Sequence, residues 1–223
     1  MVSGTSAGTR LEPVDSAFLE AFVPREIRLV QRRILGHPGG GGFSAAQLGL
    51  FILELVPKKG ASLPPEDHGG SQIRTTLLGM LAQALRFSDI AGTLGNGELL
   101  GIARDLDGDQ AFQIAQRILA HAGRLELLKA AGLTTRLAYV VYPLSTQPDL
   151  EPGEWHLLLD LARSLFDRDA AAGIPSGCGV LRAEGAPPNI PEGDLVRLAF
   201  HDLETLTTQG LLRLQRIHIL PGF

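Results

Sequence analysis

The stretch that decides the fold is RFSDIAGTLGNGEL, residues 86–99. Two polar turns, RFSD and GNG, enclose the apolar run IAGTL. An Asn-Gly pair between apolar runs is a strong signal for a two-residue hairpin, because both central positions of a type I′ turn need positive φ. The stretch therefore predicts two short antiparallel strands, at 89–94 and 98–103, joined by a tight turn.

The segments around this hairpin alternate between apolar strands and amphipathic helices. The run LGLFILELV at 48–56 is almost continuously apolar, which is typical of a central strand covered on both faces. Further strands are predicted at 137–142 and 177–181, and helices are predicted at 71–86, 109–122 and 154–169. This order predicts a layered α/β (α+β) domain, with a central mixed sheet of about five strands flanked by helices.

The composition of the chain divides it into four parts. Residues 1–14 are rich in Ser, Gly and Thr and are expected to be disordered. Residues 15–42 are expected to hold two helices, one capped by Asp15 and one begun by Pro24, followed by a glycine-rich joint. The main domain spans 43–182. Residues 183–223 are expected to form a small appendage of linker, helix and strand, with a bulge or bend where the apolar register of the strand shifts.

The overall charge and composition exclude several classes of protein. The chain has 223 residues, a formal net charge of -4 and one cysteine. An acidic balance argues against a DNA-binding surface, and the lone Cys178 rules out an intramolecular disulfide. No segment approaches the roughly 20 apolar residues of a membrane span. These features predict a cytoplasmic protein that does not insert into a membrane.

The order of elements, with an Asn-Gly hairpin in the middle, resembles the GGDEF domains of diguanylate cyclases over about residues 45–182. In that family an Arg-x-x-Asp motif lies five residues before Gly-Gly-Asp/Glu-Glu-Phe. This chain has Arg86-x-x-Asp89, then five residues, then the signature loop Gly95, Asn96, Gly97, Glu98 and Leu99. Active cyclases bind Mg²⁺ through the acidic third loop residue and a first-strand aspartate, which are matched here by Gly97 and Glu54. The resemblance therefore implies a degenerate domain with no catalytic residue, no metal site and no cofactor.

The Arg-x-x-Asp motif is the product-inhibition site for cyclic di-GMP in the GGDEF family. The arginine fork can donate to guanine O6 and N7, and a carboxylate can accept from guanine N1-H and the N2 amino group. A third arginine of the family site matches Arg117, which can pair with phosphate or stack on a base. The resemblance thus implies a cyclic di-GMP receptor that binds an intercalated ligand dimer at Arg86, Asp89 and Arg117.

Three arginines of the N-terminal helical segment are candidates for auxiliary ligand contacts. Arg25, Arg28 and Arg32 share one side of that segment, and they could reach the ligand from the same chain or from a second copy in a homodimer. A solvated face is the ordinary interpretation of such a row. The resemblance also implies a regulated partner protein, in an exopolysaccharide, secretion or motility system.

Simpler interpretations of the same residues stay open. Arg86 and Asp89 could form a surface ion pair, which is often worth less than about 1 kcal/mol. A second Arg-x-x-Asp pattern, at 104–107, is interpreted as the end of a strand and a helix cap. The alternative functions are a nucleotide-free interaction scaffold and an active cyclase that uses Glu54 and Glu98.

Overall fold

The computed structural model describes residues 13–36, 47–64, 68–166, 174–183 and 189–219. Within these ranges the helices are α1 (Ser16–Leu35), α2 (His68–Ala84), α3 (Gly108–Arg124), α4 (Glu126–Ala130), α5 (His156–Ser164) and α6 (Glu192–Thr208), with a 3-10 helix at Pro152–Glu154. The strands are β1 (Leu48–Pro57), β2 (Ile90–Thr93), β3 (Leu99–Arg104), β4 (Leu133–Tyr142), β5 (Ser176–Arg182) and β6 (Leu212–His218). Most of the segment expected to be disordered, and the glycine-rich joint, lie outside the described residues.

The strands form one mixed sheet with the order β2-β3-β1-β4-β5-β6. The β4–β5 pair is parallel, and all other neighbouring pairs are antiparallel. Helices cover both faces: α1, α5 and α6 pack on one, and α2 and α3 pack on the other. The layered α/β fold with a mixed central sheet is therefore confirmed, with six strands in place of about five.

The β1 strand is the centre of both hydrophobic layers. Leu48, Leu50 and Ile52 belong to the layer beneath α1, whereas Phe51 and Leu53 belong to the layer beneath α2. Successive side chains of a strand point to opposite faces, so a strand buried on both faces must be apolar throughout. This burial accounts for the apolar run in the sequence.

The register of β1 places the turn at 86–89 and the β2–β3 hairpin at opposite ends of the sheet. Leu48 of β1 pairs with Arg104, and Leu53 pairs with Leu99. The turn at 86–89 thus lies at the end where β1 begins, and the β2–β3 hairpin lies at the end where β1 finishes. We call these the RFSD end and the hairpin end. Five strand residues separate them, which corresponds to roughly 17 Å.

The N-terminal segment forms one helix, so the prediction of two helices divided at Pro24 is wrong. The predicted cap is confirmed, since the Phe18 amide donates to Asp15 Oδ1 at 2.9 Å. The helix runs through Pro24 because its buried residues continue at helical spacing on both sides of the proline: Leu19, Val23, Ile27, Val30 and Ile34. Packing of this stripe on the sheet outweighs the roughly 3 kcal/mol cost of an internal proline.

Val14 shows that order begins before the predicted helix cap. Its amide donates to Ala91 O at 2.9 Å, and its carbonyl accepts from the Thr93 amide at 3.1 Å. Val14 therefore bridges to the outer side of β2, in parallel with it. The end of the segment that was expected to be disordered is thus tied to the sheet.

The hairpin exists as predicted, but its turn is of another type. The Gly97 amide donates to Leu94 O at 2.8 Å, and the Leu94 amide donates to Glu98 O at 2.9 Å. The loop therefore has three residues, and Gly97 is the residue in it with positive φ, at +82°. A three-residue hairpin loop needs a left-handed residue only at its third position, so glycine is required at 97 and not at 96.

The β6 strand completes the sheet, whereas the sequence indicated an appendage with a bulged strand. Seven consecutive pairs, from Ser176 with His218 to Arg182 with Leu212, join β6 to β5 without a break in register. The shift in apolar pattern has another cause. Leu212 packs in the α1 layer, and Ile217 packs in the α2 layer, so the buried face changes along a regular strand.

The start of α6 is fixed by a buried carboxyl group. Glu192 accepts hydrogen bonds from the amides of Leu144 at 2.8 Å and Ser145 at 2.7 Å, and its own amide donates to Asp149 Oδ1 at 2.6 Å. Burial raises the pKa of Glu192 to about 8, although the two amide hydrogen bonds oppose the rise. The loop after β4 is thereby joined to α6.

The first expected outcome concerns Gly179 in β5. An added Cβ would lie 2.0 Å from Cζ of Tyr139, whose hydroxyl donates to Gln215 Oε1 at 2.6 Å. We expect Gly179→Ala to lower the free energy of unfolding by at least about 1–3 kcal/mol in urea titrations. Gly153→Ala, where the new methyl meets nothing within 4 Å, is the control. Equal stability of Gly179→Ala and the parent would contradict this packing.

The second expected outcome concerns Glu192. Its pKa is raised from 4.5 in the unfolded chain to about 8 in the folded state. Between these pH values the folded state keeps a proton that the unfolded state has lost. The free energy of unfolding therefore falls as the pH rises over this range, and this contribution is gone above pH 8. We expect the melting temperature of the parent to fall more between pH 5 and pH 8 than that of Glu192→Gln, which cannot titrate. Parallel pH profiles for the two proteins would be evidence against the shift.

Candidate functional site

The RFSD turn is held by the side chain of Asp89. Its Oδ2 accepts from the Arg86 amide at 2.8 Å, and its Oδ1 accepts from the Arg104 amide at 3.3 Å. The Asp89 amide in turn donates to Arg86 O at 3.0 Å. Asp89 therefore joins the turn to the last residue of β3.

Asp89 is only 2% exposed, and contact of its carboxylate with a guanine edge stays a prediction. Both oxygens already accept backbone hydrogen bonds, because β3 ends beside the turn and supplies a second amide. Arg86 differs, since its side chain is exposed. The side chains of Arg86 and Asp89, both within the described residues, do not form an ion pair with each other. In this geometry Asp89 positions Arg86.

The second Arg-x-x-Asp pattern has the structural role that the sequence predicted. Arg104 ends β3, and Asp107 caps α3 by accepting from the Gln110 amide at 2.7 Å. The Arg104 guanidinium also donates to Ser88 O and lies 3.8 Å from the Glu26 carboxylate of α1. Arg104 thus connects the RFSD turn to α1.

Arg117 lies on the helix that runs beside α2. The α2 helix leads from the hairpin end to the RFSD end, and α3 leads back from the RFSD end to the start of β4, so the two helices are antiparallel. They pack on the same face of the sheet. The C-terminal end of α2, two residues before Arg86, therefore lies towards the N-terminal half of α3. Arg117, in the middle of α3, is exposed.

The auxiliary arginines lie on the other face of the sheet. Arg25, Arg28 and Arg32 are all exposed on α1, which packs opposite α2 and α3. Contact of these side chains with a ligand at Arg86 stays a prediction.

At the hairpin end, Glu54 is paired across the sheet. Glu54 of β1 lies opposite Arg136 of β4, and its Oε2 accepts from Nε at 3.1 Å and from a terminal guanidinium nitrogen at 2.7 Å. The same guanidinium donates to Phe166 O at 2.9 Å and lies 5.2 Å from the centre of the Phe166 ring. The first-strand carboxylate is therefore neutralised by a strongly held arginine.

Glu98 of the signature loop is paired in a similar way. Arg163, in the last turn of α5, donates to Glu98 Oε2 at 2.7 Å and to Asp160 Oδ1 at 2.6 Å. Burial raises the pKa of Glu98, but the hydrogen bonds of Arg163 and Asn96 and the charge of Arg163 outweigh it, so the pKa lies below its usual value. The pKa of Arg163 is raised by the same pairing. Glu98 is held as a carboxylate.

The third loop position is also close to an arginine. A Cβ at Gly97 would lie 2.9 Å from a guanidinium nitrogen of Arg74, on α2. A cavity of about 240 Å³ lies beside it, and its lining includes Ser71, Arg74, Thr93 and Leu99.

Sequence reasoning missed the three arginines of the hairpin end. These residues lie on α2, β4 and α5, and the first and last of them are 89 positions apart: Arg74, Arg136 and Arg163. Arg136 could have been found from its position, because it is the one charged residue in a strand whose other residues are apolar or carry a hydroxyl group. Such a residue on a covered sheet needs a charged partner.

Two features are absent from the described residues. No group of three or more His, Cys, Asp and Glu side chains there is arranged to hold a metal ion. Among the helices of the described ranges, none combines the length and apolarity needed to cross a membrane.

The fold is similar to that of solved GGDEF domains. The GGDEF domain of YfiN (TpbB) from Pseudomonas aeruginosa matches with a TM-score of 0.54 and 18% identity, over 74% of this chain and 95% of that one. A shortened form of the same protein, comprising only its GGDEF domain, matches with a TM-score of 0.52 and 20% identity, over 75% and 91%. No family model and no curated protein matches the sequence significantly. The chain thus has a GGDEF-like fold.

Proposed function

We propose that this chain is a GGDEF-like domain that acts by binding a ligand and not by catalysis. The observation that carries the proposal is the pairing of Glu54 with Arg136 and of Glu98 with Arg163. These are the two acidic residues left at the positions that carry the chemistry in the family it resembles. Each is already matched by a guanidinium within hydrogen-bond distance.

The residues of the hairpin end do not fit the Mg²⁺ that a cyclase requires. Mg²⁺ demands octahedral oxygen ligands and is usually held by one or two carboxylates together with substrate phosphates. Gly97 supplies no carboxylate, and Arg74 lies where an acidic side chain at this position would extend. The charge of Glu54 is already balanced by Arg136, so this carboxylate has less negative charge to offer a cation.

The ligand we propose is cyclic di-GMP, bound at the RFSD end. Arg86 is exposed on a turn whose backbone Asp89 fixes, and its fork can donate to guanine O6 and N7. Arg117, on the adjacent antiparallel helix, supplies a second exposed guanidinium for a phosphate or a further base. Asp89 acts here as a positioning residue.

The output we propose is regulation of a partner protein. A bound ligand shifts a partner-bound state only by its difference in affinity for the two states. The α1 helix is a suitable transmitting surface, because Arg104 joins it to the RFSD turn through Glu26 and Ser88.

The third expected outcome concerns catalysis. We expect the purified protein to form no cyclic di-GMP or linear dinucleotide from GTP in the presence of Mg²⁺ or Mn²⁺, as followed by ion-exchange chromatography. An active diguanylate cyclase assayed in parallel verifies the conditions. Product above the protein-free blank would overturn the proposal that the domain is not a cyclase.

The fourth expected outcome concerns the ligand. We expect cyclic di-GMP to bind the parent in isothermal calorimetry, and Arg86→Ala to raise the Kd about 5- to 150-fold, which corresponds to the loss of about 1–3 kcal/mol for a bidentate contact. Arg117→Ala should also weaken binding. Arg124→Ala removes an exposed arginine from the same helix as Arg117 and is the control that should leave the Kd unchanged.

A second candidate function is a nucleotide-free interaction scaffold. The burial of Asp89 favours it, because a carboxylate used by the backbone is not available to a guanine. A receptor gains about 2.7 kcal/mol of stability at a ligand concentration of 100 Kd, and a scaffold gains none. Absence of both heat and thermal stabilisation with cyclic di-GMP would therefore favour the scaffold and reject the receptor.

A further inference from the structure

Phe87, between Arg86 and Ser88 in the RFSD turn, has an unusually exposed aromatic ring. Its side chain is 73% exposed, the highest value among the large hydrophobic residues that the structure describes. Phenylalanine is normally buried, because its apolar surface is costly to leave in water. The residues on both sides of it are also exposed.

The backbone on both sides of Phe87 is held by hydrogen bonds. The Arg86 amide and carbonyl both bond to Asp89, at 2.8 and 3.0 Å, and the Ser88 carbonyl accepts from the Arg104 guanidinium. The ring therefore stands out from a fixed turn, and the turn would have to lose these bonds to bury it. A group held in its binding position in advance loses little entropy when a ligand arrives.

Other exposed phenylalanines in the described ranges contact a second ring. Phe200 of α6 lies edge-on to His201 at 5.3 Å, and Phe18 of α1 stacks on Phe22 at 5.5 Å. Phe87 has no such ring contact with any residue that the structure describes. Its ring is exposed, and so is the side chain of Arg86, which precedes it in the turn.

We propose that Phe87 is a stacking surface for a purine base of the ligand that Arg86 binds. This inference rests on the function proposed above and adds a residue to its site. A purine offers an aromatic face and a hydrogen-bonding edge, and neighbouring phenyl and guanidinium groups match the two. Stacking accepts any base, so Phe87 supplies affinity and Arg86 supplies the preference for guanine.

Substitutions at Phe87 test the stacking by calorimetry with cyclic di-GMP. Loss of one base–aromatic stack by alanine substitution weakens binding about 5- to 150-fold, and we expect a rise of this size in the Kd of Phe87→Ala. Phe87→Leu keeps apolar bulk without a π face and should also bind weakly, whereas Phe87→Tyr should bind like the parent. Phe200→Ala, which removes an exposed ring on the other face of the sheet, should leave the Kd unchanged.

A fluorescent variant gives a second, independent measurement. The chain has one tryptophan, Trp155, which is 1% exposed, so the indole of Phe87→Trp can be distinguished by its emission at longer wavelength. Cyclic di-GMP should quench this emission as a guanine stacks on the indole, with a midpoint that agrees with the calorimetric Kd. Emission of the parent from Trp155 should not change.

The outcomes separate the two proposals. If the parent binds no cyclic di-GMP in calorimetry, the proposed function fails and this inference fails with it. If the parent binds and Arg86→Ala weakens binding, but Phe87→Ala and Phe87→Leu bind like the parent, the stacking role alone is overturned. The same conclusion follows if Phe87→Trp binds the ligand without quenching. Melting temperatures equal to that of the parent verify that each variant is folded.

Discussion

The antiparallel pairing of β1 with both β3 and β4 is the constraint on which the rest of the structure depends. It places the RFSD turn and the hairpin at opposite ends of the sheet, and it sets Glu54 directly opposite Arg136. A shift of one residue in this register would turn the apolar side chains of β1 to the wrong layers, and both layers are filled. The burial of β1 on two faces therefore fixes the geometry of both ends.

The two ends differ in how their charges are balanced. At the hairpin end, Glu54 and Glu98 each have an arginine partner within 2.7 Å, in partly buried surroundings. Removing one member of such a pair leaves an uncompensated charge, so the paired state is difficult to open. At the RFSD end, Arg86 and Arg117 are exposed cations, and the nearby carboxylate of Asp89 is used by the backbone. The second arrangement offers two exposed guanidinium groups to an incoming anion.

Much of the fold could be predicted from local sequence patterns. The contacts and burial of the candidate site residues could not. The apolar run of β1, the hairpin and the cap at Asp15 depend on neighbouring residues, and the structure contains all three. The pairing of Glu54 with Arg136 joins residues 82 positions apart and depends on register. The burial of Asp89 depends on where β3 ends. Joining of β6 to β5 was missed for the same reason, because a local pattern does not identify the partner of a strand.

The bridge of Val14 to β2 has a mechanical consequence. The residue just before the cap of α1 is bonded to Ala91 and Thr93, immediately after the RFSD turn, and Arg104 connects α1 to the turn a second time through Glu26 and Ser88. Contacts at two separate points therefore connect α1 and the residue before it to the turn and to β2. A displacement of the turn relative to α1 would have to break one of these contacts or move the helix with it.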